Sequence, residues 1–241
     1  MEESLCRIKN LAHASVASLE MKMQQYDQWS ENFESDVSNL DYRAPKICVD
    51  HLYRVIESKG LQFTEETEII DLAAGTGLVG KFLRDKQFIG TIDAQDGSSG
   101  MLDVAKTKNI YSNFYECILK PDAILPLPVN HYDVAILSGA LSDSQVHPTC
   151  LKDILRHIEV GGIFVFSTRS NRNNLDFKKK LDIEIEKLEH DGCWEKLLVN
   201  DVKEFERATS PEEVIQAADK QQITEEYPFI SGSVYCYRKL N

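Results

Sequence analysis

Residues 69–80 read IIDLAAGTGLVG, an apolar strand that runs into a glycine-rich turn and the start of a helix. The glycines Gly75, Gly77 and Gly80 have the G-x-G-x-x-G spacing of a turn that lets the backbone approach a nucleotide-like ligand. Asp71 lies four residues before the first of them. A carboxylate at that place would repel a pyrophosphate on the helix N-terminus, whereas it suits a ligand that carries an ammonium group. The stretch therefore favours a nucleotide-like cofactor without phosphates.

Short apolar runs alternate with helical patterns on both sides of this turn. Strands are predicted at residues 67–73, 88–95, 112–119, 132–141, 163–169, 194–208 and 231–240. Helices are predicted at 78–86, 100–107, 150–157, 175–192 and 210–221, and the pair Gly161-Gly162 predicts a turn. Strands that alternate with helices indicate βαβ crossovers. We predict an α/β fold with a doubly wound, mostly parallel, seven-stranded sheet.

The N-terminal part of the chain carries a helical pattern. Apolar residues from Leu5 to Met23 recur at helical spacing, and Tyr26, Trp29 and Phe33 continue it, which predicts one amphipathic helix. A second helix is predicted from Ala44 to Lys59, with a proline in its first turn and a glycine after it. We expect one compact domain, in which residues 1–60 form a helical lid and a lead-in helix and residues 61–241 bind the ligand.

Composition excludes several classes of function. The 241 residues include 27 basic and 39 acidic side chains, and a net charge of −12 argues against a nucleic-acid partner. Six cysteines without a C-x-x-C pair favour a reduced, intracellular chain with no metal site. No apolar run approaches the ~20 residues of a membrane span. We expect a cytoplasmic monomer with no membrane partner, and a nuclear location is also open.

Four segments, DLAAGTGLVG, DGSSGML, YDVAILSGAL and GGIFVFSTR, together resemble the class I S-adenosylmethionine-dependent methyltransferases. The sequence is particularly similar to the methyltransferase-like family named after the Williams–Beuren syndrome critical region. Members of that family carry DGSPGML-type and GALSDGQV-type segments, where this sequence has DGSSGML and GALSDSQV. The likeness spans roughly residues 26–170. One departure is Ala73-Ala74, where many relatives have Gly-Cys, although both pairs leave small residues beside the ligand.

The resemblance implies a Rossmann-like methyltransferase fold and S-adenosylmethionine as the cofactor. Asp71 then serves the α-ammonium group, beside the turn residues Leu72, Ala73, Gly75, Thr76 and Gly77. A second carboxylate is needed at the end of the second strand, where it accepts hydrogen bonds from the ribose hydroxyls. Asp96 and Asp93 compete for that role. We favour Asp96, which lies five residues before Met101 as in the family's DxSxxML pattern, and expect Asp93 to be a strand-end carboxylate in solvent.

The resemblance also indicates where adenine and the methionine end of the cofactor lie. Relatives often place an acid after the third strand, but Ile118 or Leu119 occupies that position here, so we expect apolar packing of adenine. Ser98 is expected to cap the next helix. Further cofactor-binding residues are expected at the ends of the second and fourth strands and in the lid, namely Gly97, Met101, Ser138, Gly139, Tyr26, Trp29 and Tyr42. For the lid aromatics, an ordinary core stripe remains an alternative.

Methyl transfer requires alignment of a nucleophile with the sulfonium methyl, so a general base is optional. The one candidate acid/base pair is His147 with Asp143, both in the loop after the fourth strand. We predict an S-adenosylmethionine-dependent methyltransferase that acts on an unidentified small-molecule or protein acceptor. The alternative is a cofactor-binding regulatory or interaction protein without turnover. A nicotinamide-dependent oxidoreductase is disfavoured by Asp71.

Overall fold

The computed structural model describes residues 3–4, 7–8, 18–143, 145–208 and 228–241. Its helices are α1 (Leu19–Asn39), α2 (Ala44–Ser58), α3 (Leu78–Asp85), α4 (Ser99–Thr107), α5 (Cys150–Leu155) and α6 (Leu175–His190), with a 3-10 turn at Arg172–Asn174. Its strands are β1 (Glu68–Leu72), β2 (Thr91–Asp96), β3 (Phe114–Glu116), β4 (Tyr132–Leu141), β5 (Ile158–Arg169), β6 (Trp194–Arg207) and β7 (Phe229–Lys239).

The seven strands form one sheet in the order β3-β2-β1-β4-β5-β7-β6. The first five of these are parallel, whereas β7 is antiparallel to both of its neighbours, β5 and β6. The chain runs outward from β1 through β2 to β3 and then returns to the other side of β1 with β4. The strand order therefore reverses between β1 and β4, the place where open α/β sheets bind ligands beyond the carboxyl ends of their strands. The predicted fold class is confirmed.

The sheet is covered on both faces, and strand β5 shows how the sequence achieves this. Phe164 and Phe166 pack in one core cluster with α5 and α6, whereas Ile163 and Val165 pack in the opposite cluster with α2 and α3. Side chains in a strand alternate between the two faces of a sheet, so a continuous apolar run fills both cores. Helix α2 therefore belongs to the sheet's own core rather than to a separate N-terminal layer.

Several element boundaries differ from the sequence predictions. Strand β3 is only three residues long and the helix predicted at 150–157 ends at Leu155. The pair Gly161-Gly162 lies inside β5, because the register with β4 shifts between Tyr132 and Val134. Between these two pairs, four residues of β5 lie opposite the single residue Asp133 of β4, so the glycines accommodate a bulge instead of a turn.

The N-terminal pattern does not form the single helix that we predicted. Helix α1 begins at Leu19 because Ser18 is extended and its hydroxyl accepts a hydrogen bond from the amide of Met21 at 3.2 Å. Most of the pattern before Ser18, and the helix predicted at 210–221, lie outside the described residues. Across the part of the chain that is described, none of the helices combines the length and the apolar character needed to cross a bilayer.

Candidate cofactor and active site

A cavity of about 650 Å³ lies at the carboxyl ends of the parallel strands, beneath helix α1. Its lining includes thirteen of the residues that the sequence had suggested: Tyr26, Trp29, Tyr42, Ala73, Gly75, Asp96, Gly97, Met101, Ile118, Leu119, Ser138, Gly139 and Asp143. The remaining suggested residues, Asp71, Leu72, Thr76, Gly77 and His147, are not part of the lining. The structure therefore brings most of the expected set together at the switch point of the sheet.

The glycine turn enters the cavity wall in a constrained conformation. Ala73, Gly75 and Gly77 all have positive φ, of 48°, 56° and 92°. Two side chains from β2 hold the turn: the Gln95 Oε1 atom accepts a hydrogen bond from the amide of Ala73 at 3.1 Å, and the Asp96 Oδ2 atom accepts one from Gly75 at 2.8 Å. Ala73 occupies a left-handed conformation that favours glycine.

Asp96 lies at the end of β2, on the cavity lining. Its Oδ1 atom accepts a second backbone hydrogen bond, from Ser98 at 2.8 Å, so each carboxylate oxygen has one donor and a further lone pair. Burial raises the pKa of Asp96, although the backbone donors oppose that shift. The hydroxyl of Ser98 caps α4 by accepting from the amide of Met101 at 3.1 Å, as predicted. A buried, backbone-anchored carboxylate at this place is a fixed acceptor for hydroxyl groups in the cavity.

Asp93 is not in solvent, contrary to our expectation. The residue belongs to β2 and is 2% exposed. Its Oδ2 atom accepts from the hydroxyl of Tyr132 at 3.0 Å, and its Oδ1 atom accepts from both the amide and the side chain of Asn113 at 3.1 and 3.0 Å. The carboxylate is thus used inside the sheet and away from the cavity, which leaves Asp96 as the β2 carboxylate on the lining.

Asp71, expected beside the ligand, lies behind the glycine turn. It is 1% exposed, and its Oδ2 atom accepts a hydrogen bond of 2.6 Å from the hydroxyl of Tyr111. Burial raises the pKa of Asp71 to about 7, while the hydrogen bond from Tyr111 opposes this rise. Leu72 is a core residue, and Thr76 is fully buried. The side chains of these three residues therefore face the protein interior rather than the cavity.

Helix α1 covers the cavity and is fastened to the start of α4. The Asp27 Oδ1 atom accepts from the hydroxyl of Ser98 at 2.6 Å and from the amide of Gly100 at 2.9 Å. Two glycines permit this close approach: a Cβ on Gly97 would lie 2.5 Å from the Met23 sulfur, and one on Gly100 would lie 3.0 Å from the Cα atom of Asp27. Helix α1 thus packs directly on the DGSSG segment, residues 96–100.

The aromatic residues of α1 are at once core and cavity residues. Trp29 is 3% exposed, stacks on Tyr26 and meets the edge of Phe33, and its indole nitrogen donates to Asp36 at 2.8 Å. The hydroxyl of Tyr26 accepts from the side-chain amide of Gln145 at 2.5 Å. These rings therefore pack in a small core cluster, as the core-stripe alternative expects, and they also border the cavity; their role as a lid over the cofactor stays a prediction.

The turn between α1 and α2, which contains Tyr42, approaches β4 closely. A Cβ on Gly139 would lie 1.8 Å from the hydroxyl oxygen of Tyr42, so this position, with φ of 69°, accepts only a glycine beside that ring.

The loop after β4 does not assemble an acid/base pair: His147 is exposed and its Nδ1 atom contacts the hydroxyl of Thr149 at 2.8 Å. Within the described residues no hydrogen bond joins His147 to Asp143, so this part of the prediction is not supported by the geometry.

The opposite end of the cavity is polar. Arg169, at the end of β5, forms an ion pair with Glu206, which is 5% exposed. Other polar side chains on this part of the lining come from the loops after β4 and β5 and from the end of β6, namely Ser142, Gln145, Asn171, Asn173, Asn174 and Arg207. These residues lie far apart in the sequence and carry no motif, so their proximity follows from the strand order alone.

Comparison with known proteins identifies the family. Residues 70–166 match the methyltransferase domain family. Over 193 residues the chain is 34% identical to human methyltransferase-like protein 27, covering 80% of this chain and 76% of that protein. The chain belongs to the class I S-adenosylmethionine-dependent methyltransferases. It is accordingly a methyltransferase whose cofactor is S-adenosylmethionine. The narrower resemblance to the family named after the Williams–Beuren region stays a prediction.

Solved structures share the fold at low sequence identity. An S-adenosylmethionine-dependent methyltransferase from Leishmania major has a TM-score of 0.59 and 17% identity, covering 91% of this chain and 83% of that one. The [4+2]-cyclase SpnF has a TM-score of 0.63 and 16% identity, covering 93% and 98%. Because this fold is also found in a protein described as a cyclase, the reaction has to be argued from the site and not from the likeness of folds.

Proposed function

We propose that this methyltransferase binds S-adenosylmethionine in the cavity beneath α1 and transfers the methyl group to a small-molecule acceptor. The observation that carries the proposal is the arrangement of the cavity wall, where the carboxylate of Asp96 and the glycine turn face a cover of aromatic rings. One wall suits a nucleoside and the other suits a sulfonium, because aromatic faces attract cations.

The lining residues fit the parts of the cofactor in order along the sheet. Asp96 has lone pairs left for the ribose hydroxyls, and Ile118 and Leu119 offer an apolar surface for adenine. The small residues Ala73, Gly75, Ser138 and Gly139 leave room for the methionine end. When bound there, the cofactor supplies a methyl group on a positively charged sulfur, near the rings of Tyr26 and Trp29.

The polar end of the cavity is the proposed acceptor site. Arg169 and Glu206 place opposite charges there, beside several side-chain amides. In this proposal, helix α1 and the turn that follows it act as the lid over this space. A small polar molecule fits beneath such a cover, whereas a protein side chain would require α1 to move aside. The small-molecule acceptor is therefore favoured over the protein acceptor.

Alignment carries the chemistry in this proposal. His147 is exposed and not part of the lining, so it is not placed to remove a proton from an acceptor in the cavity. Holding an acceptor atom in line with the sulfonium and excluding water suffices for methyl transfer when the acceptor is already a good nucleophile. We therefore expect His147→Ala to retain most of the transfer rate.

Two measurements test the proposal. Calorimetry with S-adenosylmethionine, S-adenosylhomocysteine and NAD should show binding of the first two and none of the third. Transfer of a labelled methyl group from S-adenosylmethionine should then place label in the small-molecule filtrate of a cell extract, with the Asp96→Ala variant as the inactive control. Label in the protein fraction would point to a protein acceptor. Cofactor binding with no transfer to either fraction would favour the regulatory protein without turnover.

A further inference from the structure

Tyr111 links the two ends of the glycine turn on the side that faces away from the cavity. It lies in the loop between α4 and β3 and is 9% exposed. Its hydroxyl donates to the Asp71 Oδ2 atom at 2.6 Å and accepts from the amide of Gly80 at 3.2 Å. Asp71 belongs to β1 and Gly80 to the first turn of α3, so one hydroxyl group joins the strand to the helix on either side of the turn.

Two of the three motif glycines face this tyrosine instead of the cavity. A Cβ on Gly77 would lie 2.8 Å from the Tyr111 ring, and one on Gly80 would lie 2.5 Å from its hydroxyl oxygen. A Cβ on Gly75 would meet nothing within 4 Å, and Gly75 is the only one of the three on the cavity lining. The G-x-G-x-x-G spacing thus combines one cavity glycine with two that make room for Tyr111.

Asp71 lies on the tyrosine side of the turn. The residue is not part of the cavity lining, and its Oδ1 atom is buried with no hydrogen-bond partner among the described residues. Among the described residues, Tyr111 supplies the one side-chain hydroxyl that donates a hydrogen bond to Asp71. A buried carboxylate with few donors depends strongly on each of them. The position of Asp71 therefore depends on Tyr111, and the converse holds too.

We propose that Tyr111 is a positioning residue for the cofactor site, and that Asp71 acts through Tyr111 rather than by touching the cofactor. Between the two tied ends, Ala73 and Gly75 line the cavity and have positive φ. Such conformations persist only where surrounding contacts hold them. Tying the end of β1 to the start of α3 limits the alternatives open to the turn. The inference rests on the proposed cofactor site.

The test compares two buried tyrosine–aspartate pairs. Tyr111→Phe keeps the ring and removes the hydroxyl beside the glycine turn. Tyr132→Phe is the matched control, because the hydroxyl of Tyr132 donates to Asp93 at 3.0 Å, away from the cavity. We expect Tyr111→Phe to weaken S-adenosylhomocysteine binding by up to about tenfold, the range of one hydrogen bond, and Tyr132→Phe to change it less than about twofold. Equal affinities for both variants, with equal losses of melting temperature, would show that Tyr111 is merely structural.

A second variant and a spectrum keep the test decisive if Tyr111→Phe folds poorly. Asp71→Asn removes the charge but keeps an oxygen that can accept from Tyr111, so binding should weaken by less than about threefold. A loss of about thirtyfold or more would indicate a direct charged contact with the cofactor and would overturn the inference. In ligand-free protein, Tyr111→Phe should shift the amide resonances of Gly75 and Gly77, and Tyr132→Phe should not. If the wild-type protein fails to bind S-adenosylhomocysteine, the proposed cofactor site is wrong. The amide resonances of Gly75 and Gly77 then still test whether the Tyr111 hydroxyl holds the glycine turn in place.

Discussion

The two halves of the cavity wall are held in different ways. The glycine turn is held from several sides: Gln95 and Asp96 accept its amides, Tyr111 ties its ends, and the Lys108 ammonium donates to the carbonyl of Thr76 at 2.5 Å. Helix α1 is held instead by contacts along one side: Asp27 accepts hydrogen bonds at the start of α4, the Lys108 ammonium donates to Glu34, the side-chain amide of Gln145 donates to Tyr26, and a small apolar cluster surrounds Trp29. The cavity wall at the glycine turn is therefore part of the core, and α1 is attached to it through side-chain contacts.

This difference suggests a division of labour. A wall with many buried contacts opens only when the whole domain unfolds, whereas an element with few contacts opens at lower cost. A lid that opens lets cofactor and acceptor enter, and its closure excludes water from the transferring methyl group.

The largest expected effect concerns the pH dependence of stability and the carboxyl group of Asp71. Burial raises its pKa to about 7, compared with about 3.9 for an unperturbed aspartate. The folded protein therefore binds a proton that the unfolded chain has lost, and this contribution to stability, at most about 4 kcal/mol, disappears as the pH rises from about 4 to about 7. In urea unfolding, Asp71→Asn should gain stability relative to wild type over that interval.

The exposed Asp103, on α4, provides the control for this experiment. Asp103→Asn should leave the pH profile of the free energy of unfolding parallel to that of wild type. A parallel profile for Asp71→Asn as well would mean that the buried carboxyl is ionised at no cost, and that the wall tolerates charge there.

Removal of the Asp96 carboxylate should have the next largest effect. Asp96→Ala is expected to weaken S-adenosylhomocysteine binding by about 2–3 kcal/mol, because the ribose hydroxyls lose a charged acceptor. Asp93→Ala should change affinity much less and reduce stability, because it leaves Tyr132 and Asn113 without their buried acceptor. Calorimetry and thermal unfolding separate the two effects. A reversed ranking of the two affinities would assign the ribose site to Asp93.

The cover is expected to respond to cofactor, and this is the third prediction. Residues 26–42 should exchange amide hydrogens faster without S-adenosylhomocysteine than with it, since the ligand adds surface for the rings of α1 to cover. Asp27→Ala should increase exchange in the ligand-free protein, through a loss of about 1–2 kcal/mol of local stability. Glu31→Ala, on the exposed side of the same helix, should not. If the amides are protected from exchange equally with and without ligand, α1 is an ordinary core helix and not a mobile cover.

The smallest expected effect is at Ala73. Its φ of 48° strains an alanine but not a glycine, so Ala73→Gly should raise the free energy of unfolding by up to about 1 kcal/mol. Ala74→Gly is the control, because Ala74 does not have positive φ and should lose about 0.5–1 kcal/mol instead. Chemical denaturation of both variants checks the difference. Destabilisation of the same size at both positions would show that the Ala73 methyl group contributes packing that outweighs its strain.

The sequence by itself determined the order of strands and helices and placed most of the site residues that it suggested on the cavity lining. Alternation between the faces of a strand and the 3.6-residue period of a helix are local properties, so apolar spacing reveals both. The glycine turn and Asp96 follow immediately after strands, and the carboxyl ends of parallel strands meet at one edge of a sheet. Proximity of such residues therefore follows from their place in the pattern, without any knowledge of contacts.

Only the tertiary structure decided which way the buried polar groups point and what they hold. Tyr111 meets Asp71 across 40 residues of sequence, and Asp27 meets Gly100 across 73, distances over which apolar spacing carries no information. The sequence also suggested a cofactor contact for Asp71 and a solvent position for Asp93, and both carboxylates are instead partnered by tyrosines inside the fold. The physical reason is that a buried carboxylate has to find its donors wherever the packed strands and loops bring them, and that choice is made only when the chain has folded.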